Sequence, residues 1–169
     1  IAVISMRQTT SATSDFELYR LIVSPKTTQL LTNNTVDDTN VSMSADALKV
    51  VWEQPVAAIA TIFIRSYTSA TSTSGFTESS LTNALPQRHP SVSGNGQFIT
   101  FVRDLSNNTD RVYRFDSSTS AYLAVFSSTG TDILEHPSVT NDGNTVLYLW
   151  KRSTGDFVRR KTISTGTFQ

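Results

Sequence analysis

Short runs of alternating hydrophobic and polar residues extend along the whole chain, and three of them follow closely similar turn sequences. The turn sequences each carry a serine at their second position, and they occupy residues 41–47, 90–96 and 137–143. Each precedes an apolar run rich in β-branched and aromatic residues, at 48–52, 98–102 and 146–150. The equivalent serines lie 49 and 47 residues apart. A recurrence at this period predicts an array of equivalent small sheets that stack on one another.

Each repeat divides into short strands separated by turn-forming residues. In the third repeat, the alternation and the turn signals predict four strands, at residues 89–93, 98–103, 111–115 and 121–126. The fourth repeat follows the same order but stops near residues 164–166, so its outermost strand is predicted to be missing or only begun. The first repeat is predicted to lack its first strand. We therefore expect an all-β protein of about four units, each a four-stranded antiparallel sheet, with incomplete first and last units. The units occupy approximately residues 1–38, 39–87, 88–134 and 135–169.

Four polar or irregular stretches are predicted to connect the strands as loops. One of them, at residues 68–83, is rich in Ser and Thr and is predicted to be an extended loop or a longer outer hairpin. The other three are residues 53–60, 104–110 and 152–156. A rigid array of sheets is expected to present the four loops together.

The third and fourth repeats resemble the TolB-like propeller repeat. That repeat runs His-Pro-x-hydroxyl-Pro-Asp-Gly, then an apolar strand, an acidic and Asn-rich hairpin, an aliphatic-Tyr strand and a Thr-Gly turn. Residues 89–96 (HPSVSGNG) and 136–143 (HPSVTNDG) carry the resemblance, and residues 104–113 continue it with their Asp, Asn and Tyr side chains. The second repeat departs most, since Asn40 and Val41 replace His-Pro. The resemblance implies a β-propeller, in which the sheets are blades arranged around an axis.

Ring closure is left open by the sequence. Propellers of this family usually have about six blades, within the range known for the fold, whereas the sequence supplies two complete units and two partial ones. An unpaired strand edge can pair with another chain. Three arrangements are therefore possible: a four-bladed ring with an imperfect seam, part of a larger propeller, or copies that meet edge to edge.

The composition narrows the classes of partner. The chain has 14 basic and 14 acidic residues, so no overall charge attracts it to nucleic acid or to an anionic membrane. It contains no cysteine, which excludes disulfides, thiolate metal sites and cysteine nucleophiles. No apolar run approaches the roughly 18 residues that a membrane-spanning helix needs. We therefore predict protein partners, no nucleic acid and no membrane span.

The two histidines, His89 and His136, occupy the same place in successive repeats. Their residue type could supply a metal pair or a general base. Equivalent positions in neighbouring units are expected to lie one blade apart, however, and no third ligand is evident. We interpret both as structural repeat positions, and predict that the chain holds no metal or other cofactor. The other structural repeat positions are Pro90, Ser91, Gly96, Pro137, Ser138, Asp142 and Gly143.

Catalytic motifs are absent from the sequence. The chain has no Gly-x-Ser-x-Gly elbow of the kind that exposes a nucleophilic serine. The peptidases whose propellers resemble this repeat carry their catalysis in a separate α/β-hydrolase domain. Residues 140–143 place Asp and Gly adjacent, so the sialidase box, which separates them by one residue, does not fit. We predict that the chain is not an enzyme.

The stretch from Asp104 to Asp110 contains the oxygen ligands that calcium favours. It lacks the glutamate and the fixed glycine of an EF-hand loop. An Asx-rich hairpin whose side chains bond their own backbone is the preferred interpretation. Any calcium bound there would be structural.

Basic residues are concentrated near the end of the chain, on two predicted strands joined by a short loop. As cross-strand neighbours they would form a basic patch able to dock an acidic partner, although a solvated edge that resists aggregation is the simpler interpretation. The patch consists of Lys151, Arg152, Arg159, Arg160 and Lys161.

Three functional hypotheses follow. The first is a non-enzymatic propeller scaffold for protein–protein interaction, located in the periplasm, at the cell surface or outside the cell, as the resemblance implies. The second is a structural subunit that assembles into a filament or surface layer, as a homo-oligomer or polymer, through open sheet edges. The third is the accessory propeller of a larger hydrolase.

Overall fold

The computed structural model describes residues 1–7, 15–24, 26–72, 74–105 and 108–163, and every regular element in these ranges is a β-strand. The all-β prediction is confirmed. Among the described residues no helix is long and apolar enough to cross a membrane. The strands described are β1 (Ala2–Arg7), β2 (Phe16–Ile22), β3 (Thr27–Leu30), β4 (Thr39–Met43), β5 (Lys49–Val56), β6 (Ile59–Tyr67), β7 (Phe76–Ser80), β8 (Gln87–Val92), β9 (Phe98–Leu105), β10 (Thr109–Asp116), β11 (Ala121–Ser127), β12 (Ile133–Val139), β13 (Thr145–Arg152) and β14 (Gly155–Thr162).

These strands form four antiparallel sheets in chain order. Sheet 1 contains β1-β2-β3, sheet 2 β4-β5-β6-β7, sheet 3 β8-β9-β10-β11 and sheet 4 β12-β13-β14. The incomplete first and last units are confirmed for the described residues, because sheets 1 and 4 have three strands there. The turn predicted at residues 164–166 lies outside the described residues. In the part of the chain that the structure covers, the sheets form an open series, without strand pairing or extensive packing between sheets 1 and 4.

The predicted loops are shorter than expected. The prediction of a loop at residues 53–60 is wrong, because β5 runs to Val56. Only Ala57 and Ala58 connect it to β6, with φ of 49° and 67°. Positive φ at both residues is the geometry of a tight two-residue hairpin. Residues 68–83 contain strand β7, so the outer-hairpin alternative is correct. The four loops are also not presented together, because the turn after β6 lies at the opposite end of the strands from the tip that joins β5 to β6.

Hydrophobic packing between successive sheets forms the core. We call the side of a sheet that faces the next sheet along the chain its leading face, and the opposite side its trailing face. Leu18 of sheet 1, Ile62 of sheet 2 and Val112 of sheet 3 lie on leading faces and are fully buried, each in a separate apolar cluster. Complete burial of such a side chain stabilises the fold by about 1.5–3 kcal/mol. Each sheet therefore depends on its neighbour for stability.

The innermost strands share an irregularity that explains the repeated His or Asn. Asn40, His89 and His136 have positive φ, of 51°, 54° and 46°. At each of them the pairing register with the second strand shifts, as in a β-bulge. Asn and His are among the residue types that adopt this left-handed conformation most readily. The strands of sheets 3 and 4 tolerate a proline directly after this residue, such as Pro90, because a bulge interrupts the hydrogen-bond ladder.

The turns between the first and second strands connect neighbouring sheets. The backbone N–H of Ala45 donates to the carbonyl of Gly94 at 2.9 Å, and the Asn95 side-chain amide donates to the carbonyl of Asn141 at 2.7 Å. Gly143 closes its own turn by donating to Thr140 at 2.9 Å, with a φ of 72°. These contacts fix the relative position of sheets 2, 3 and 4 at one end of the strands.

Candidate functional site

The three bulges converge on one cavity between the innermost strands. Strand β8 lies between β4 and β12, and together they line an open cavity of about 280 Å³. Equivalent triplets of the three repeats line the cavity, so it is a direct product of the repeat. The lining residues are Asn40, Val41, Ser42, His89, Pro90, Ser91, His136, Pro137 and Ser138.

The two histidines are in direct contact. The centroids of the His89 and His136 rings lie 4.5 Å apart, and the ring planes are inclined by 59°. The expected separation of one blade is wrong, because the innermost strands are the part of the array where successive sheets approach most closely. Both residues lie at bulges, and they bring two imidazoles into the same cavity. His136 is exposed and His89 is half-buried.

Glu53 connects two repeats at the edge of this cavity. Its Oε2 accepts a hydrogen bond from the Asn40 side-chain amide at 2.8 Å and one from the His89 backbone N–H at 3.2 Å. The residues at the same register position of sheets 3 and 4 are Val102 and Leu149. Sequence reasoning missed Glu53. The signal that could have found it is a carboxylate at a position that is aliphatic in the other repeats.

A second carboxylate lies beside His136. Glu135 Oε2 is 2.7 Å from Lys151 Nζ and 3.9 Å from His136 Nε2. The hydrogen bond from Lys151 is the main reason why the pKa of Glu135 is lowered. Lys151, one of the predicted docking residues, therefore forms its ion pair within sheet 4.

Burial controls the protonation of His89. Desolvation is the largest cause of its lowered pKa, followed by the positive charges of His136 and Arg88, while Glu53 and Glu135 act in the opposite direction. His89 is therefore neutral at neutral pH. Its Nδ1 is buried and has no hydrogen-bond partner among the described residues.

The chemistry of the cavity suits binding. Among residues 1–7, 15–24, 26–72, 74–105 and 108–163, no group of three or more His, Asp or Glu side chains is placed to hold a metal ion. In the same ranges no serine hydroxyl is hydrogen-bonded to the ring of His89 or His136. The cavity offers imidazoles, hydroxyls, one amide and two proline rings, which together can contact both polar and apolar atoms of a ligand.

The candidate calcium ligands have another role. Arg88 donates to Asp104 at 2.6 Å and to Asp110 at 2.7 Å, and Asp110 also accepts from the Leu134 backbone N–H at 2.8 Å. Burial raises the pKa of Asp104. Both carboxylates therefore form ion pairs with Arg88 within sheet 3, and the hydrogen bond from Leu134 to Asp110 joins sheet 3 to sheet 4. Residues 106–107 of the same stretch lie outside the described residues.

The basic residues do not form the expected cross-strand patch. Lys151 pairs with Asp156 and Arg152 with Gly155 across β13 and β14, so their neighbours are not basic. Arg152 and Arg159 both stack on Trp150, with guanidinium carbons 4.8 and 5.2 Å from the ring centroid. Alternation along the strand places Arg160 on the opposite face of sheet 4. The predicted docking role of these residues stays a prediction.

The remaining repeat positions hold the turns and the bulges. Pro90 and Pro137 are largely buried in the wall of the cavity. The Asp142 carboxylate accepts hydrogen bonds from the Thr140 hydroxyl at 2.5 Å and from the Asn144 N–H at 3.0 Å, and the first of these lowers its pKa. Gly96 and Gly143 supply the positive φ that closes the turns in sheets 3 and 4. Ala47 adopts that conformation in sheet 2.

No protein-family model matches the chain, and no curated protein is similar to it in sequence. Solved structures do share its fold. TolB from Acinetobacter baumannii is 16% identical with a TM-score of 0.73, over 98% of this chain and 40% of its own length. A putative TolB from Agrobacterium tumefaciens is 15% identical with a TM-score of 0.69, over 98% of this chain and 59% of its own.

An oligogalacturonate lyase from Vibrio parahaemolyticus also matches, with 12% identity and a TM-score of 0.59, over 86% of this chain and 46% of its own. The chain thus spans between 40% and 59% of the length of these proteins. At this identity the likeness concerns the fold alone. The four sheets and their order identify the chain as having the TolB-like propeller fold.

Proposed function

We propose that the chain is a non-enzymatic scaffold for protein–protein interaction that works outside the cytoplasm. The observation that carries the proposal is the cavity between the innermost strands, where three copies of one triplet meet. A site assembled from the repeat itself is as rigid as the array, and rigid sites lose little entropy when they bind. The likeness to TolB supports the extracytoplasmic location.

The bound group is a short segment of a partner protein. At about 280 Å³ the cavity lies near the lower limit of small-molecule pockets, so it accommodates a few side chains and not a whole protein surface. Buried proline rings provide apolar contact, while His136 and the hydroxyl of Ser138 are exposed for hydrogen bonding. Glu53 and Glu135 border the same site and favour a segment that is not acidic.

The absence of catalysis is part of the proposal. The histidines contact each other instead of a serine hydroxyl, and both nearby carboxylates are engaged, Glu53 with Asn40 and Glu135 with Lys151. A general base needs free access to the proton that it removes. The lyase activity named for the Vibrio structure belongs to that protein.

Selection from a peptide library tests the binding role. Random peptides displayed on phage are selected on the wild-type protein, and the enriched peptides are then tested on Ser138→Arg, which fills the cavity mouth from an exposed position. We expect peptides that bind the wild type and bind Ser138→Arg at least ~10-fold more weakly, a loss of about 1.4 kcal/mol. The control is Thr154→Arg, at the distant tip between β13 and β14. Peptides that bind all three proteins equally, or no enriched peptides, would contradict the proposal.

Self-assembly through strand edges is a second candidate function. In the described residues β1 is paired only with β2 and β14 only with β13, so each has one unpaired side. Such edges add strands from other molecules. Light scattering across a dilution series tests this, and a constant monomer mass would contradict it. A role as the accessory propeller of a larger hydrolase is a third candidate, which sequencing of the flanking gene regions tests.

A further inference from the structure

An open groove lies between sheets 2 and 3, apart from the cavity at the innermost strands. Its volume is about 440 Å³, which is within the range of small-molecule sites. Sheet 2 lines it with the turn that precedes β5 and with the end of β6, and sheet 3 lines it with residues 95–97 and 117–118. The groove and the cavity share no lining residue, so the groove is a separate site.

A change at one repeat position accounts for the open space. Lys49 occupies in sheet 2 the position that Phe98 occupies in sheet 3, because the backbone N–H of each donates to the serine hydroxyl five residues before it, at 2.9 and 3.0 Å. The Phe98 ring packs on sheet 4 so closely that a Cβ added to Gly143 would lie 2.6 Å from it. In sheet 2 a lysine chain takes the place of this ring, and the boundary with sheet 3 is left open.

Lys49 brings an ammonium group to the groove without a carboxylate partner. Its Nζ donates to the Ser117 hydroxyl at 2.9 Å, and it forms no ion pair with any described residue. An ammonium group has three N–H donors, so two are left for other acceptors. Lys49 is half-buried, and burial is the main cause that lowers its pKa. A cation that has lost part of its water in this way is stabilised by a bound anionic group.

Asp46 lines the same groove and carries the opposite charge. Its Oδ1 accepts hydrogen bonds from the Ser44 hydroxyl at 2.5 Å and from the Leu48 N–H at 3.0 Å. The first of these bonds is the main reason why the pKa of Asp46 is lowered, so the carboxylate is ionised at neutral pH. Its Oδ2 accepts no hydrogen bond from another described residue, and Asp46 is exposed. Asp46 and Lys49 therefore influence each other through their charges but do not form an ion pair.

The other polar side chains of the groove are mostly bonded to protein groups. Gln97 donates to the Ser118 hydroxyl at 3.3 Å, and Asn95 donates to the carbonyl of Asn141 at 2.7 Å. The exception is Ser66, which lies opposite the lysine across β5 and β6. Its hydroxyl has no hydrogen bond within the part of the chain that the structure covers. The groups available to a ligand are thus one ammonium, one carboxylate and one hydroxyl.

We propose that the groove binds a free α-amino acid with an aliphatic side chain, its carboxylate on Lys49 and its ammonium group on Asp46. Because the two protein charges line one groove without pairing with each other, a ligand that carries both charges can satisfy both of them. A ligand with a single charge would be repelled by one of the two. The Ser66 hydroxyl can donate to the ligand carboxylate, and the half-buried Leu48 provides apolar contact for the side chain. The site does not depend on the cavity function.

Calorimetric titration with three ligands of the same carbon skeleton tests the charge requirement. L-leucine carries both charges, 4-methylpentanoate carries only the carboxylate, and 3-methylbutylamine carries only the ammonium group. We expect L-leucine to bind, and each analogue to bind at least ~10-fold more weakly. A protein that does not bind L-leucine overturns the proposal. Either analogue binding as tightly as L-leucine also overturns it, because one of the two charges would then be unnecessary.

Two variants that each remove one charge connect binding to the groove. Asp46→Asn preserves the turn, because Asn95 at the equivalent position of sheet 3 accepts the same two hydrogen bonds. Lys49→Met keeps an unbranched side chain without the ammonium group. Each variant should bind L-leucine at least ~10-fold more weakly than the wild type. The matched control is Lys26→Met, which removes an exposed lysine outside the groove and should bind normally.

Two further variants distinguish this site from the cavity. Lys49→Phe gives sheet 2 the residue of sheet 3 and should close the groove to L-leucine. Ser138→Arg, which fills the cavity mouth, should leave L-leucine binding unchanged. Circular dichroism establishes that each variant is folded. Normal binding by Asp46→Asn and Lys49→Met overturns the proposal, and so does a loss of L-leucine binding in Ser138→Arg, since the ligand would then occupy the cavity.

Discussion

The imidazole rings of His89 and His136 are in contact across the boundary between sheets 3 and 4, with centroids 4.5 Å apart. Each ring belongs to a bulge of its own repeat, and neither is close to the other in sequence. Burial is the main cause that lowers the pKa of His89, and the neighbouring His136 acts in the same direction. The stability of the protein should therefore depend on pH.

Replacement of His89 by Asn should reduce the loss of stability in acid. The pKa of His89 is lower in the folded protein than in the unfolded chain, so the unfolded chain binds more protons as the pH falls through about 6.5. Stability therefore rises with pH in this window and falls in acid. Asn has the required left-handed conformation at the equivalent position 40.

The measurement is the melting temperature at pH 7.5 and pH 5.5. Wild type should lose several degrees more than His89→Asn between these values. Equal losses in the two proteins would show that His89 does not bind fewer protons in the folded state.

Asp38 should change the pH dependence of stability in the opposite direction from His89. Burial is the main cause that raises its pKa to about 6, although Thr32, Asn34 and Trp52 donate hydrogen bonds to it. A raised carboxyl pKa means that the folded protein binds the extra proton, so stability falls as the pH rises from about 4 to about 6. Asp38→Asn should remove this part of the pH dependence. The test compares denaturant midpoints of both proteins at pH 4.5 and 7, and a variant with the slope of the wild type would contradict it.

Gly143 should be intolerant of any side chain. A Cβ added there would lie 2.6 Å from the Phe98 ring, and the φ is 72°. Gly143→Ala is expected to lower the free energy of unfolding by about 2–4 kcal/mol, through backbone strain together with overpacking. Gly130→Ala is the matched control, because its φ is 62° and no atom lies within 4 Å. Chemical denaturation of both variants separates the two costs, and equal losses would show that the Phe98 contact is unimportant.

Arg88 should contribute more to stability than a surface arginine. Its guanidinium satisfies Asp104 and Asp110, and Asp110 is nearly buried between sheets 3 and 4. Arg88→Met leaves these carboxylates without their cation, at an expected cost of roughly 2–3 kcal/mol. Arg152→Met should cost about 1 kcal/mol or less, because its contact with Asp132 is longer and more exposed. Urea denaturation measures both, and similar small losses would mean that the Arg88 bridge is weak.

The strands were largely predictable, because alternation with period two and Gly-Asn turn signals act locally. The hairpin at 53–60 was not. Pro55 looks like a strand breaker, but β4 pairs with β5 only as far as Glu53, so Pro55 lies where no ladder bond is needed on that side. Local sequence does not show where a neighbouring strand ends.

The site was less predictable than the fold. The repeat identified His89 and His136 as equivalent positions, but equivalence gives no distance between them. Their contact depends on how closely the innermost strands approach, and this follows from packing of the whole array. Glu53 was hidden for a related reason, since its role appears only when the bulges of sheets 2 and 3 are seen side by side.

The bulge that each innermost strand repeats makes the cavity chemically adjustable. Asn40, His89 and His136 each project from a backbone whose hydrogen bonds are already interrupted, so exchange among residues that accept a left-handed backbone leaves the ladders intact. Three such positions, one per repeat, line the same cavity. The same framework can thus acquire a new ligand preference through single codon changes, with little risk to its folding.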